Sequence, residues 1–226
     1  MARARAGQIE PEQHLVEGRS AGKRRAILGA AREVFLRNGY LAASMDEVAA
    51  LADVSKVTVY KHFSDKRGLF IAVVTGAIHE AEDSSRSLVD RLGASMEVER
   101  DLRAFARRHI TLVAQPHLIR MRRMIIAESI RFPDLAKTWH RTGPERAHAM
   151  LARQIEQLVR RGLLRAADPL LAAQHLNYLI LSVPLNDAMF TGRDKPYGPR
   201  QLQRFADEAI RVFLAAYGTE MLRSAM

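Results

Sequence analysis

The segment from Ser44 to Lys66 constrains the fold of this chain most strongly, because it encodes two short helices joined by a tight turn. Ser44 and Glu47 have the spacing of a capping box at the start of the first helix. Asp53 interrupts the helical pattern, and aspartate tolerates the left-handed backbone of such a turn. Ser55 is suited to capping the next helix. The segment therefore predicts a helix-turn-helix unit within an all-α fold.

The second of these helices, predicted for residues 56–62, has a composition suited to a DNA major groove. Val59 and Phe63 lie four residues apart and are expected to face the core. The outward side chains combine cations, a hydroxyl, a phenol and a small apolar group: Lys56, Val57, Thr58, Tyr60, Lys61 and His62. The alternative for these residues is an ordinary solvated helix face.

Within this set we expect base contacts from the start of the helix and phosphate contacts from its end. Val57 and the methyl group of Thr58 can touch thymine methyl groups, and Lys56 can reach O6 or N7 of guanine. Phosphate contacts are expected from Tyr60, Lys61 and His62 and, through backbone N–H groups, from the helix start at Ser44.

Two runs of residues resemble a known family. One is Val-Ala-x-x-Ala-x-Val-Ser followed by Thr-Val-Tyr-Lys-His-Phe and then by Ser64, Lys66 and Leu69. The other lies upstream and consists of Ile27, Ala30, Ala31, Val34, Phe35 and Gly39. Together, over about residues 23–75, they resemble the helix-turn-helix of TetR-type bacterial transcriptional regulators.

The resemblance implies a phosphate contact for Lys66. It also implies a larger second domain that binds an effector and forms a homodimer through the C-terminal helices. Asp53 and Val57 stand where the family often has glycine, so the target sequence cannot be borrowed from relatives.

Helical spacing recurs along the rest of the chain without lasting β-type alternation. The helices are predicted at residues 23–38, from Ser64 onward, and at 98–114, 116–132, 144–161 and 200–217. Another is predicted to begin at Pro169 and run through Leu179 with a kink at Pro184, before a loop at 191–199. We therefore expect a flexible basic and acidic arm (1–22), a three-helix DNA-binding domain (23–68) and a larger helical effector-binding and dimerisation domain (69–226).

Composition narrows the function classes. The chain has 48% hydrophobic residues and no cysteine, so it can bury a core but has neither disulfides nor thiolate metal sites. It lacks an H-E-x-x-H motif, a glycine-rich phosphate loop and paired histidines at metal-ligand spacing. Its net charge of +10 lies mostly beyond residue 80 and so gives the DNA-binding motif little support. We predict a cytoplasmic protein that is not an enzyme and has no cofactor, metal site or membrane segment.

Large, soft or amphipathic side chains accumulate in the middle of the second domain, as in pockets for small hydrophobic ligands. The predicted effector pocket consists of Met121, Met124, Phe132, Trp139, His140, His175, Tyr178 and Met189, with Met150 and Phe190 as further candidates. Ordinary core is the alternative for each of them. Trp139, the only tryptophan, is the first candidate for a pocket wall.

These observations predict a homodimeric repressor that a hydrophobic or amphipathic small molecule releases from a palindromic operator. One alternative is an activator, or a regulator without a ligand. Others are a helical small-molecule-binding protein with a vestigial motif and an enzyme with an unrecognised site.

Overall fold

The computed structural model describes residues 11–224, without the side chains of residues 11–18, 81, 82, 84, 85, 87, 88, 223 and 224. Over this range the regular structure is helical and no strand forms, so the predicted all-α fold is confirmed. The helices are α1 (Pro11–Ala42), α2 (Met45–Leu51), α3 (Lys56–His62), α4 (Lys66–Leu92), α5 (Val98–Val113), α6 (Pro116–Glu128), α7 (Pro133–His140), α8 (Arg146–Arg160), α9 (Pro169–Phe190), α10 (Pro199–Tyr217) and α11 (Glu220–Ser224), with a π-helical turn at Arg141–Glu145.

The chain divides into two compact units, one ending at Val73 and the other beginning at Val74. The division falls inside α4, which the sequence predicted to leave the DNA-binding unit. The first helix is longer than predicted, because it begins at Pro11 instead of Lys23. Proline suits the first turn of a helix, and the following glutamates, glutamine and leucine are good helix formers. Residues 11–22 are thus helical, and the rest of the expected arm, residues 1–10, lies outside the described residues.

An aromatic cluster forms the core of the first unit. The ring of Phe35 on α1 meets the ring of Phe70 on α4 edge to face, with centroids 5.0 Å apart. Gly39 adopts a positive φ of 74°, which breaks the helical geometry of α1 near its end. Tyr40 follows this break and packs its ring against Phe70, also at 5.0 Å. The predicted helix stop at Gly39 therefore returns the chain to the core.

In the second unit, α5, α8, α9 and α10 share one hydrophobic core, with Leu102, Ile155, Leu176 and Phe213 almost fully buried. Helix α9 begins at Pro169 as predicted, is continuous through the buried Pro184 and ends at Phe190, just before the predicted loop. Helix α7 was not predicted, because its eight residues lie between two proline-containing turn signals. None of the helices in residues 11–224 is long and apolar enough to cross a membrane.

Candidate functional sites

Serine side chains fix the ends of both short helices in the first unit. The Ser44 hydroxyl accepts a hydrogen bond from the Glu47 N–H at 3.1 Å, and the Ser55 hydroxyl accepts one from the Thr58 N–H, also at 3.1 Å. Between the helices, Asp53 has a φ of 51°, the only positive value at a non-glycine position in the described chain. The predicted caps and the predicted left-handed turn are therefore confirmed.

The second half of the predicted capping box is wrong. The Glu47 carboxylate does not reach back to the Ser44 N–H but accepts hydrogen bonds from Arg37 and from the Asn38 amide, the latter at 2.6 Å. The hydrogen bond from Arg37, followed by that from Asn38, holds the pKa of Glu47 below its usual value. These two side chains of α1 thus bind the carboxylate and connect α1 to α2.

Helix α3 buries one edge and exposes the residues expected to meet DNA. Val59 is fully buried and Phe63 nearly so, as predicted. On the outer face the Val57 side chain is 77% exposed and Tyr60 is 44% exposed. The remaining members are accessible to differing degrees: Lys56 and Lys61 are exposed, and Thr58 and His62 are half-buried.

Two of the predicted DNA-contacting residues have protein partners that sequence reasoning missed. The Lys56 ammonium lies 2.7 Å from a carboxylate oxygen of Asp46 on α2, and this hydrogen bond raises the pKa of Lys56. Both side chains are largely exposed, so the pair contributes little stability and can exchange for another acceptor. The Thr58 hydroxyl is 2.8 Å from the Ser55 hydroxyl and so also belongs to the cap of α3.

Lys66 has a structural role beside its predicted phosphate contact. Its ammonium donates to the carbonyl oxygens of Leu41 at 2.9 Å and Ala43 at 3.0 Å, and it lies 5.0 Å from the centre of the Tyr40 ring. Orphan carbonyls at a helix end are commonly satisfied in this way. The phosphate contact of Lys66 stays a prediction.

The second unit encloses a cavity of about 380 Å³, lined mainly by apolar side chains. Of the residues predicted to form an effector pocket, Trp139, Tyr178 and Met189 lie in its wall, as does the further candidate Met150. Helices α5, α6, α8 and α9 supply most of the remaining lining, and the α4 part of this unit supplies Ile78 and Val89.

Five predicted pocket residues do not line the cavity. The wall contributed by α6 consists of Leu118, Arg122 and Ile126, spaced by four residues, so Met121 and Met124 point away from it. The side chains of the other three are engaged elsewhere: Phe132 with Arg131, His140 with Glu145 and His175 with Tyr217. The further candidate Phe190 is 86% exposed. The type of these residues therefore did not predict where their side chains lie.

Sequence reasoning also missed the polar groups of the cavity. His109 Nε2 on α5 lies 2.9 Å from the Asn177 side-chain oxygen on α9, and burial lowers the pKa of His109. Arg122 lies 5.7 Å from the centre of the Trp139 ring, and burial lowers its pKa too. The sequence does carry one signal, since Arg122 interrupts the apolar four-residue spacing of Leu118 and Ile126.

The lowered pKa of His109, which lies half-buried in the cavity wall, predicts that acid destabilises the second unit. Because burial lowers the pKa of His109 below its ordinary 6.5, the unfolded chain binds the proton more readily than the folded chain. The free energy of unfolding should therefore fall as the pH drops through about 6.5 toward the lower folded value. Urea unfolding at about pH 7.5 and about pH 5.5, on either side of the ordinary histidine pKa of 6.5, measures this loss.

His109→Gln should reduce the difference between the two pH values, and His79→Gln, at an exposed position on α4, should leave it unchanged. An unchanged difference in the His109 variant would contradict this assignment. No group of side chains in the described part of the chain is arranged to hold a metal ion.

Two family models match the chain. The model for bacterial regulatory proteins of the tetR family matches residues 27–73, and the model for the C-terminal domain of AefR-like transcriptional repressors matches residues 100–219. The first match contains α2 and α3, and the second contains most of the cavity wall. The two models thus correspond to the two sites.

Two solved structures match this chain across both of its units. A TetR-family transcriptional regulator from Mesorhizobium loti is 40% identical, with a TM-score of 0.84, over 89% of this chain and 99% of that one. The flavonoid-responsive regulator FrrA is 28% identical, with a TM-score of 0.71, over 87% and 97% of the two chains.

Among curated proteins, the activator FasR of Mycolicibacterium smegmatis is 52% identical over 52 residues, and the regulator QacR of Staphylococcus aureus is 42% identical over 48 residues. These matches cover 23% and 21% of this chain, and 24% and 26% of the relatives, so the chain spans only about a quarter of their length.

Proposed function

Because the chain belongs to the TetR family of bacterial transcriptional regulators, a non-enzymatic family, we propose that it is a cytoplasmic, homodimeric repressor. It binds a palindromic operator through α3 and leaves the operator when a small molecule fills the cavity of the second unit. The observation that carries the proposal is the outer face of α3, which holds exposed cations and Val57 on a helix fixed by Ser55 and by the buried Val59.

The length of α3 supports binding as a dimer. Its seven residues span only about 10 Å, which limits one copy to a few base pairs. Two copies related by a two-fold axis read two half-sites about one helical turn of DNA apart, and the contacts of each side chain are then made twice. A palindromic operator is the DNA counterpart of that symmetry.

An apolar stripe on α9 supports the dimer independently. Leu179, Val183 and Phe190 share one face of this helix and are 41%, 48% and 86% exposed. The opposite face of α9 lies in the core of the second unit, so this helix has apolar residues on two opposite faces. We assign the stripe to contact with the same stripe of a second copy, in agreement with the family's dimerisation through its last helices.

The cavity provides a route for release from DNA. Ile78 and Val89 of α4 belong to its wall, and α4 begins at Lys66 in the first unit. A ligand that displaces this wall shifts α4. It lowers operator affinity only to the extent that it binds the DNA-binding and the released conformations with different affinities. A coupling of about 1–3 kcal/mol gives roughly 5- to 150-fold release. The flavonoid-responsive relative FrrA supports control by a small molecule.

Activation is the second candidate, favoured by the 52-residue match to the activator FasR. Placing the selected operator upstream of a reporter gene separates the two candidates. A repressor lowers transcription in the absence of ligand, whereas an activator raises it.

Selection of bound duplexes from a random library by the purified protein, at near-physiological salt, tests the proposed function. We expect an enriched palindrome whose half-sites lie about 10 base pairs apart or a multiple of that distance. Binding that is salt-sensitive but unselective would contradict a sequence-specific regulator.

A further inference from the structure

Arg122 is a half-buried cation without an anionic partner among the described residues. Its side chain lines the cavity and packs against Trp139, and no carboxylate of the described residues pairs with it. The neighbouring arginines on α6 behave differently, because Arg120 and Arg123 both pair with Asp194. Buried charges in proteins are normally paired, since removing an unpaired charge from water is costly. Arg122 therefore presents an unpaired positive charge to the cavity.

The other polar groups of the cavity add no negative charge that would compete for Arg122. His148 is only 5% exposed, and its Nε2 has no hydrogen-bond partner among the described residues. His109 lines the cavity as well and is hydrogen-bonded to Asn177. None of the described lining residues is aspartate or glutamate. The wall thus offers positive charge and an unpartnered imidazole nitrogen without any negative charge.

The remaining lining residues of the cavity suit the apolar part of a ligand. Phe105, Leu151, Leu181 and Met189 surround the space on several sides, and Trp139 lies next to Arg122. A volume of about 380 Å³ is near the lower end for small-ligand pockets. The occupant is accordingly compact and mostly hydrophobic, with its polar group at one end.

We propose that the cavity binds a compact amphipathic carboxylic acid, whose carboxylate pairs with the Arg122 guanidinium while its apolar body fills the space beside Trp139. The planar guanidinium can donate two parallel hydrogen bonds to a carboxylate. A cationic ligand is repelled by Arg122, and a neutral one leaves its charge unpaired. The inference rests on the proposed role of this cavity as the effector site and names the class of effector.

Trp139 makes the proposal directly measurable, because it is the only tryptophan of the chain and it lies in the cavity wall. Tryptophan emission of the full chain is followed during titration with decanoate and with decanamide, and calorimetry is used for naphthoate and naphthamide, which absorb in the ultraviolet. We expect each acid to bind at least about tenfold more tightly than its amide, since only the acid makes a charge-assisted pair. Equal affinities within both pairs, or no binding of either acid, would overturn the proposal.

Substitutions then assign the preference to one side chain. Arg122→Met should make the acid and amide affinities similar. Arg122→Lys should keep part of the preference for the acid, because lysine retains the charge but not the two parallel N–H donors. Arg120→Met, on the same helix but outside the cavity, should behave like the unaltered protein. A preference that survives Arg122→Met would also overturn the assignment. None of these titrations contains DNA, so their failure is distinguishable from a failure of operator binding.

Discussion

Val57→Glu should strongly weaken operator binding while the fold stays intact. The Val57 side chain is 77% exposed on α3, so the glutamate needs no repacking. Against DNA, however, the new carboxylate replaces an apolar base contact and meets the negative phosphates. A disrupted base pair in a site costs about 1–3 kcal/mol, and a homodimer loses it at both half-sites. A total of about 2–6 kcal/mol corresponds to an affinity loss between about thirtyfold and about twenty-thousandfold.

Fluorescence anisotropy with the selected operator measures this loss, and circular dichroism verifies the helical content. Met96→Glu is the matched control, because Met96 is 88% exposed and lies in the second unit, outside α3. Val57→Leu should instead change which operators are preferred, with a smaller loss of affinity. Unchanged affinity and unchanged preference in the Val57 variants would remove this residue from the DNA interface.

Phe35→Ala should unfold much of the first unit. Phe35 is 1% exposed and packs against both Phe70 and Tyr40, so removing its ring leaves a cavity in the aromatic cluster. Substitutions of this kind cost about 3–5 kcal/mol, which is a large share of the stability of a small helical unit. Helical content measured during urea unfolding should show an early transition, and operator affinity should fall with the folded fraction.

Phe35→Leu serves as the comparison, because it keeps most of the volume and should cost distinctly less than the alanine variant. Emission from Trp139 reports on the second unit and provides an internal reference for it. If the alanine and leucine variants unfolded at the same urea concentration as the unaltered chain, the aromatic cluster would not be what stabilises this unit.

The helix-turn-helix geometry could be predicted because its determinants are local. The caps at Ser44 and Ser55 need only an N–H three residues away, and the left-handed turn at Asp53 depends on the residue itself. Prediction failed where a distant group competed for the same atoms. Arg37 and Asn38 bind the Glu47 carboxylate, which the local pattern had predicted to accept from the Ser44 N–H.

The sequence by itself therefore determined the all-α fold, the second unit's apolar character and the outward face of α3, since periodicity and capping act over a few residues. Only the tertiary structure decided which side chains line the cavity. Trp139 and Tyr178 reach it, whereas Met121 and His175, of equally suitable type, do not. Arg122, His109 and His148 come from three different helices, and it is helix packing that brings them around one space.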